Sequence, residues 1–296
     1  MNKSILLKVL ICLFVYSCSS TPESSSVSQE IQPTDLDSSS SNNNSVDDDK
    51  PIDVKPIQES KKQAESSAVA TAAAKTSSDK LVAAIKSQND ETVVKSANEV
   101  LSQNPKDLRA LNALGMTYFK SGRNEAALYL INKAIDIQPK SSELYRNLGL
   151  IELARGEKRA AIQAFRKGLA INPSDAIIGA NLGSIYVAEK EYQKAELALE
   201  IPYKKGTKDI KVLNNYAIAL TGNKNSKKAG DIYAKLVRDN PAQRDIMLNY
   251  AINLITHQQK YKDGLDLLNR LKFVGIPVES RNVIKDLETQ AKAGLQ

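Results

Sequence analysis

The chain has 296 residues, 41 of them Lys or Arg against 34 Asp or Glu, for a formal net charge of +7 and a mean hydropathy of −0.36. Two cysteines and one histidine exclude a disulfide-stapled scaffold and a zinc module built on Cys/His clusters. The charge is unevenly placed: Lys3 and Lys8 give residues 1–17 a charge of +2, ten acidic and five basic residues give 18–76 −5, and +10 is left on 77–296.

The N-terminus opens with Lys3 and Lys8 and an apolar run from Val9 to Tyr16. That run is too short for a mature transmembrane helix and has the form of an export signal. It ends in Val15-Tyr16-Ser17-Cys18, which resembles the box of bacterial lipoproteins. The resemblance implies a signal peptide at 1–17, diacylation of Cys18, and attachment to the cell envelope through an N-terminal lipid. With Ser19 rather than aspartate following, it further implies the outer membrane, facing the periplasm.

From Cys18 to Thr76, Ser, Asp, Asn, Gln and Pro dominate, with SSSSNNNSVDDD at the centre. Such a stretch cannot bury enough apolar surface to offset the entropy of ordering, so 18–76 is expected to be a disordered tether. Its reach is on the order of 40 Å.

Residues 77–107 read as a degenerate helical hairpin, with Leu81 and Ile85 on one helix and Val93, Val94, Ala97 and Leu101 on the other. Beyond it the sequence repeats. Gly115, Gly149, Gly183, Ala217 and Ala251 recur every 34 residues, as do Ala127, Ala161, Ala195 and Ala229. Pro105, Pro139 and Pro173 keep the same period, Pro241 follows after a gap at Thr207, and Asn147, Asn181, Asn215 and Asn249 form a fourth series. Within one unit, Leu111, Leu114, Gly115 and Tyr118 share a helix face, and Ala127, Ile131 and Ala134 share another.

This pattern resembles the tetratricopeptide repeat. The resemblance implies an all-α, right-handed solenoid of helix hairpins, with units at 108–141, 142–175, 176–209, 210–243 and 244–277 and a capping helix at 278–296. Each hairpin leaves an apolar face that only its neighbour can cover. Three departures stand out: Gly179 where other units hold a large residue, Pro202 inside a second helix, and Asp263 where alanine is due. Pro202 is expected to shorten or break its helix. A one-residue insertion in the fifth unit is expected to move Gly264 into the alanine's role.

No phosphate loop, dinucleotide fingerprint or HExxH motif is present, and the carboxylates are dispersed, so neither an enzyme nor a cofactor is expected. His257, near a helix turn, reads as a surface residue. The dispersed lysines carry no nucleic-acid signature. What the family resemblance implies is a groove lined by the first helix of each hairpin: Asn112, Met116 and Lys120; Arg146 and Asn147; Asn181 and Ser184; Asn214 and Asn215; Asn249 and Ile252.

The asparagines resemble the amide ladder of repeat proteins such as the O-linked N-acetylglucosamine transferase. An amide both donates and accepts, so it fits a peptide backbone, or equally a neighbouring helix. The expected partner is therefore a peptide segment of another envelope protein. Lipidated repeat proteins of this organisation resemble accessory lipoproteins of pilus and secretin assembly. The alternative is an accessory of cell-wall or surface-polysaccharide machinery, contacting an acidic polymer or enzyme through the basic domain.

Overall fold

The computed structural model describes residues 76–276 and 278–296. The expected signal at 1–17, Cys18, the expected tether as far as residue 75, and Pro277 lie outside the described residues. Thirteen α-helices make up the described chain. They are α1 (76–87), α2 (Asp90–Gln103), α3 (Leu108–Lys120), α4 (Asn124–Ile137), α5 (Ser142–Ala154), α6 (Lys158–Ile171) and α7 (Ala176–Ala188). There follow α8 (Tyr192–Lys204), α9 (Ile210–Gly222), α10 (Ser226–Asp239), α11 (Arg244–Ile252), α12 (Tyr261–Val274) and α13 (Arg281–Gly294). Each packs on the next, so the hairpins α3/α4, α5/α6, α7/α8, α9/α10 and α11/α12 stack in chain order, with α13 closing on α12.

Local chemistry sets this register twice per hairpin. Asp107, Ser141, Asp175 and Asp209 precede the first helix of four hairpins, and each side chain accepts a backbone N–H of the first turn. These caps satisfy donors that have no partner within the helix. Inside the hairpins, the turn needs one residue with positive φ: Gly122, Gly156, Lys190 and Lys224 supply it at intervals of 34 residues. Gln88 stands a further 34 residues back, between α1 and α2. The degenerate first hairpin is thus in phase with the rest.

The fifth hairpin is out of phase by one. Its positive-φ residue is Gln259, not the residue 34 after Lys224. The extra residue is taken up where α11 widens into a π-helical turn, Asn253–His257, the usual way a helix absorbs an insertion. Gly264 then makes the close approach, since a Cβ there would lie 2.3 Å from Ile255 Cγ1. Asp263 stays exposed.

Pro202 does not break its helix. It sits in the last turn of α8, which continues to Lys204, and α8 is one residue shorter than α4, α6, α10 and α12. Gly179 and Pro202 form a matched pair. A Cβ on Gly179 would stand 2.6 Å from the Ala198 carbonyl oxygen, four residues before the proline, and 3.1 Å from Pro202 Cδ. The missing side chain on α7 accommodates the ring and the displaced carbonyl on α8.

The apolar core runs unbroken from α6 to α13, through Phe165, Leu199, Tyr216, Tyr233, Met247 and Leu268. A second cluster unites α1 to α5 through Leu81, Val93, Leu111 and Leu144. Phe165 is fully buried because it fills the notch at Gly149, where a Cβ would lie 2.4 Å from its ring. In the capping helix, Ile284, Leu287 and Ala291 face inward. No described helix is long and apolar enough to cross a membrane.

Candidate functional site

The first helices of successive hairpins lie side by side, which brings the asparagine series into hydrogen-bonding range of its neighbours. Asn147 Nδ2 donates to Asn112 Oδ1 at 2.7 Å, and Asn249 Nδ2 donates to Asn214 Oδ1 at 3.2 Å. In both pairs the acceptor is 35 residues earlier. The corresponding position before Asn181 is Arg146, and before Asn215 it is Ala180; neither offers a side-chain acceptor. Asn181 therefore donates to the Ile177 carbonyl of its own helix. Asn215 donates to Ser184 Oγ at 3.0 Å, while that hydroxyl donates to the Ala180 carbonyl.

Three of the four amides thus direct an Nδ2 donor to the preceding hairpin, while Asn181 turns back onto its own helix. The ladder binds the hairpins together, and its Oδ1 atoms accept no bond among the described residues. Asn147 is only 5 % exposed and lines the groove where α1, α2, α3 and α5 meet, as part of its floor. Ile252 is likewise buried, in the core of α9 to α12, and does not line an open surface.

Arg146 also serves the stack. Its guanidinium lies 3.2 Å from Asp175 Oδ2, with side chains 23 % and 8 % exposed. Asp175 is at the same time the cap of α7, accepting from the Ile177 and Ile178 N–H groups through Oδ1. One carboxylate ties two hairpins and starts a helix.

The open part of the surface is a cavity of about 800 Å³ where α1, α2, α3 and α5 meet. Asn112, Met116, Lys120 and Asn147 line it, as does Arg109. Its apolar walls are Val82, Ile85, Val93 and Leu144. Lys120 pairs with Asp90 at 3.2 Å, and Asn112 donates to Glu143 Oε1 at 3.0 Å. Asn181, Ser184, Asn214, Asn215 and Asn249 are not among the residues of this cavity.

Sequence reasoning missed the contribution of α1 and α2 and the acidic pair Asp90 and Glu143. The available signal was the spacing: Asp90 precedes Lys120 by 30 residues and Glu143 follows Asn112 by 31, roughly one repeat, as neighbours across the stack must. His257 is half-buried in the π turn, and burial holds its imidazole below the ordinary value. Among the described residues no group of three or more His, Cys, Asp or Glu is placed to hold a metal ion.

A stack of helix hairpins locked by side chains about one repeat apart, with a mixed apolar and charged groove, defines a helical-repeat protein. The family model for the tetratricopeptide repeat matches residues 94–142, 138–176 and 146–201. Residues 94–201 carry tetratricopeptide repeats, and the 34-residue register continues into α9 and α10.

Among solved structures the chain is similar to YrrB, described as a TPR protein with an unusual peptide-binding site. The identity is 15 %, the coverage 67 % of this chain and 97 % of that one, and the TM-score 0.59. It is also similar to a tetratricopeptide repeat protein from Parabacteroides merdae, at 15 % identity, 74 % and 99 % coverage and a TM-score of 0.50. PilF of Pseudomonas aeruginosa matches at 23 % identity, 64 % and 89 % coverage and a TM-score of 0.46, too low to bear on function. The other two likenesses speak to the fold. No curated protein matches the chain.

Proposed function

We propose that this chain is a protein-binding scaffold whose groove at α1, α2, α3 and α5 takes an extended segment of another protein. The observation that carries the reading is the groove itself: apolar walls, cations Lys86, Arg109 and Lys120, and carboxylates Asp90 and Glu143 around one cavity. Apolar walls hold side chains, while charges of both signs orient a chain. The amide floor is already tied into the stack by its donors, so it is held rigid and offers acceptors to peptide N–H groups. The likeness to YrrB, described as having a peptide-binding site, agrees with this reading.

The finer reading is a lipid-anchored assembly factor of the cell envelope, attached through Cys18 and acting in pilus or secretin assembly. It rests on the Val15-Tyr16-Ser17-Cys18 box followed by a polar stretch and a repeat domain. Crosslinking the envelope of cells that make the tagged chain, then identifying captured proteins, tests it. Recovery of secretin or pilus components supports the finer reading. Recovery of glycan-synthesis enzymes instead replaces it with the cell-wall alternative, and loss of capture on Met116→Asp assigns the contact to the groove. Cys18→Ala is expected to stop processing and membrane retention; a normally processed, membrane-bound variant refutes the lipid anchor.

A further inference from the structure

A second cavity, of about 540 Å³, lies between α10, α11 and α12. Val237, Tyr250, Leu254 and Leu267 form its apolar part. The charges around it are sorted by end. Asp263 and Asp266 stand in the first part of α12, whereas Arg270 and Arg238 stand towards the C-terminal ends of α12 and α10. Asp263 to Arg270 spans about 10 Å along the helix.

Tyr250 belongs to the acidic end: burial raises its phenol pKa, and the Asp263 and Asp231 carboxylates raise it further. Asp263 is free to face the groove because the π turn gives its buried role to Gly264. Arg238 is engaged by its neighbour Asp239. Asp263, Asp266 and Arg270 form no ion pair among the described residues. Just beyond Arg270, Phe273 is 95 % exposed and Val274 39 %. Phe273 and Val274 thus extend exposed apolar surface beyond the basic end of the groove.

We propose that this groove is an interface for a second copy of the same chain, related by a two-fold axis. A face with an acidic end and a basic end is its own complement when turned through a half-circle, because each residue then meets its opposite. With the two α12 helices antiparallel, Arg270 of each copy meets Asp266 of the other. That arrangement carries each Phe273 to the acidic end of the opposite groove, where Tyr250 offers an aromatic floor. No other charge pattern is required of the partner, and the interface is separate from the groove at α1 to α5. The scaffold then presents two peptide grooves rather than one.

The test uses two differently tagged copies of the full chain, co-expressed, with co-isolation as the readout. Wild-type copies co-isolate. Arg270→Glu in both copies places like charges together and lowers recovery about tenfold, as does Asp266→Arg in both. Pairing an Arg270→Glu copy with an Asp266→Arg copy exchanges the signs of one contact and keeps the other native, so both are attractive and recovery rises above that of either variant alone. Phe273→Ala lowers recovery with no charge change. All these side chains are exposed, and an unchanged circular dichroism spectrum establishes that each variant folds. Absence of co-isolation by wild-type copies overturns the proposal, as does indifference to both charge reversals or to the removal of Phe273.

Discussion

The two grooves of this molecule are built from the same kind of hairpin, and the hairpins that carry them differ in where their amide side chains lie. At α1 to α5 the helices keep the 34-residue phase, and the floor is an amide pair, Asn147 on Asn112, flanked by Asp90 with Lys120. At α10 to α12 one extra residue breaks the phase, and the polar groups turn inward. Asn253, fully buried in the π turn, donates to Thr221 Oγ1 at 3.0 Å and accepts from Gln258 Nε2 at 2.6 Å, while Gln258 also reaches the Ser226 carbonyl. The buried Tyr233 phenol shares the Thr221 hydroxyl, and burial raises its pKa.

In-phase repeats here tie their amides one to the next beneath a groove. An insertion puts them in the core, where every member needs a partner. The difference teaches that the same residue type, asparagine, is a tie between hairpins under a groove at 147 and a structural keystone of the core at 253.

The sharpest way to break that comparison is Asn253→Leu. It removes two buried hydrogen bonds, to Thr221 and from Gln258, and is expected to cost about 1–3 kcal/mol. A shift of the urea midpoint at constant slope measures it, and an unchanged midpoint refutes the keystone role. Next in size, Met116→Asp places a charge in the apolar part of the first groove. It is expected to weaken the captured partner about tenfold, or 1.4 kcal/mol, with the melting temperature nearly unchanged. A comparable loss of stability instead makes the residue structural.

Asn147→Leu is expected to cost only about 0.5–1.5 kcal/mol, because its partner Asn112 is half-exposed and water can replace the lost donor. If Asn147→Leu costs as much as Asn253→Leu, the contrast between the two regions fails. The smallest effect concerns pH. Burial depresses the His257 pKa, so the unfolded chain takes up a proton that the folded one resists. Stability from this group is complete above an unfolded pKa of about 6.5 and falls as pH drops towards the lower folded value. His257→Asn should flatten that part of the pH profile in equilibrium unfolding, and an identical slope in the variant disproves the linkage.

Much of this is legible in one dimension. The series at Gly115, Gly149 and Gly183 announces close helix contacts, and the structure fills those notches with Ile131, Phe165 and Leu199. Asp263 beside Gly264 announces a shifted register, although not that a π turn absorbs it. The ladder was visible as a period of 34, yet two of its bonds run at 35, one at 31 and one within its own helix, and a period alone does not say which neighbour an amide faces. Pro202 shows the limit of local rules. Read alone it breaks a helix; set against Gly179 it fits within one.

What the amino-acid sequence determined by itself was the repeat: its period, its caps, its turns and the faces that must be covered, since each depends on residues within a few turns of one another. The tertiary structure decided the rest, because it depends on which residues meet about one repeat apart. Stacking turned Asn147 into floor, drew α1 and α2 into the first groove, joined Arg146 to Asp175, and left Asp266, Arg270 and Phe273 uncovered on α12.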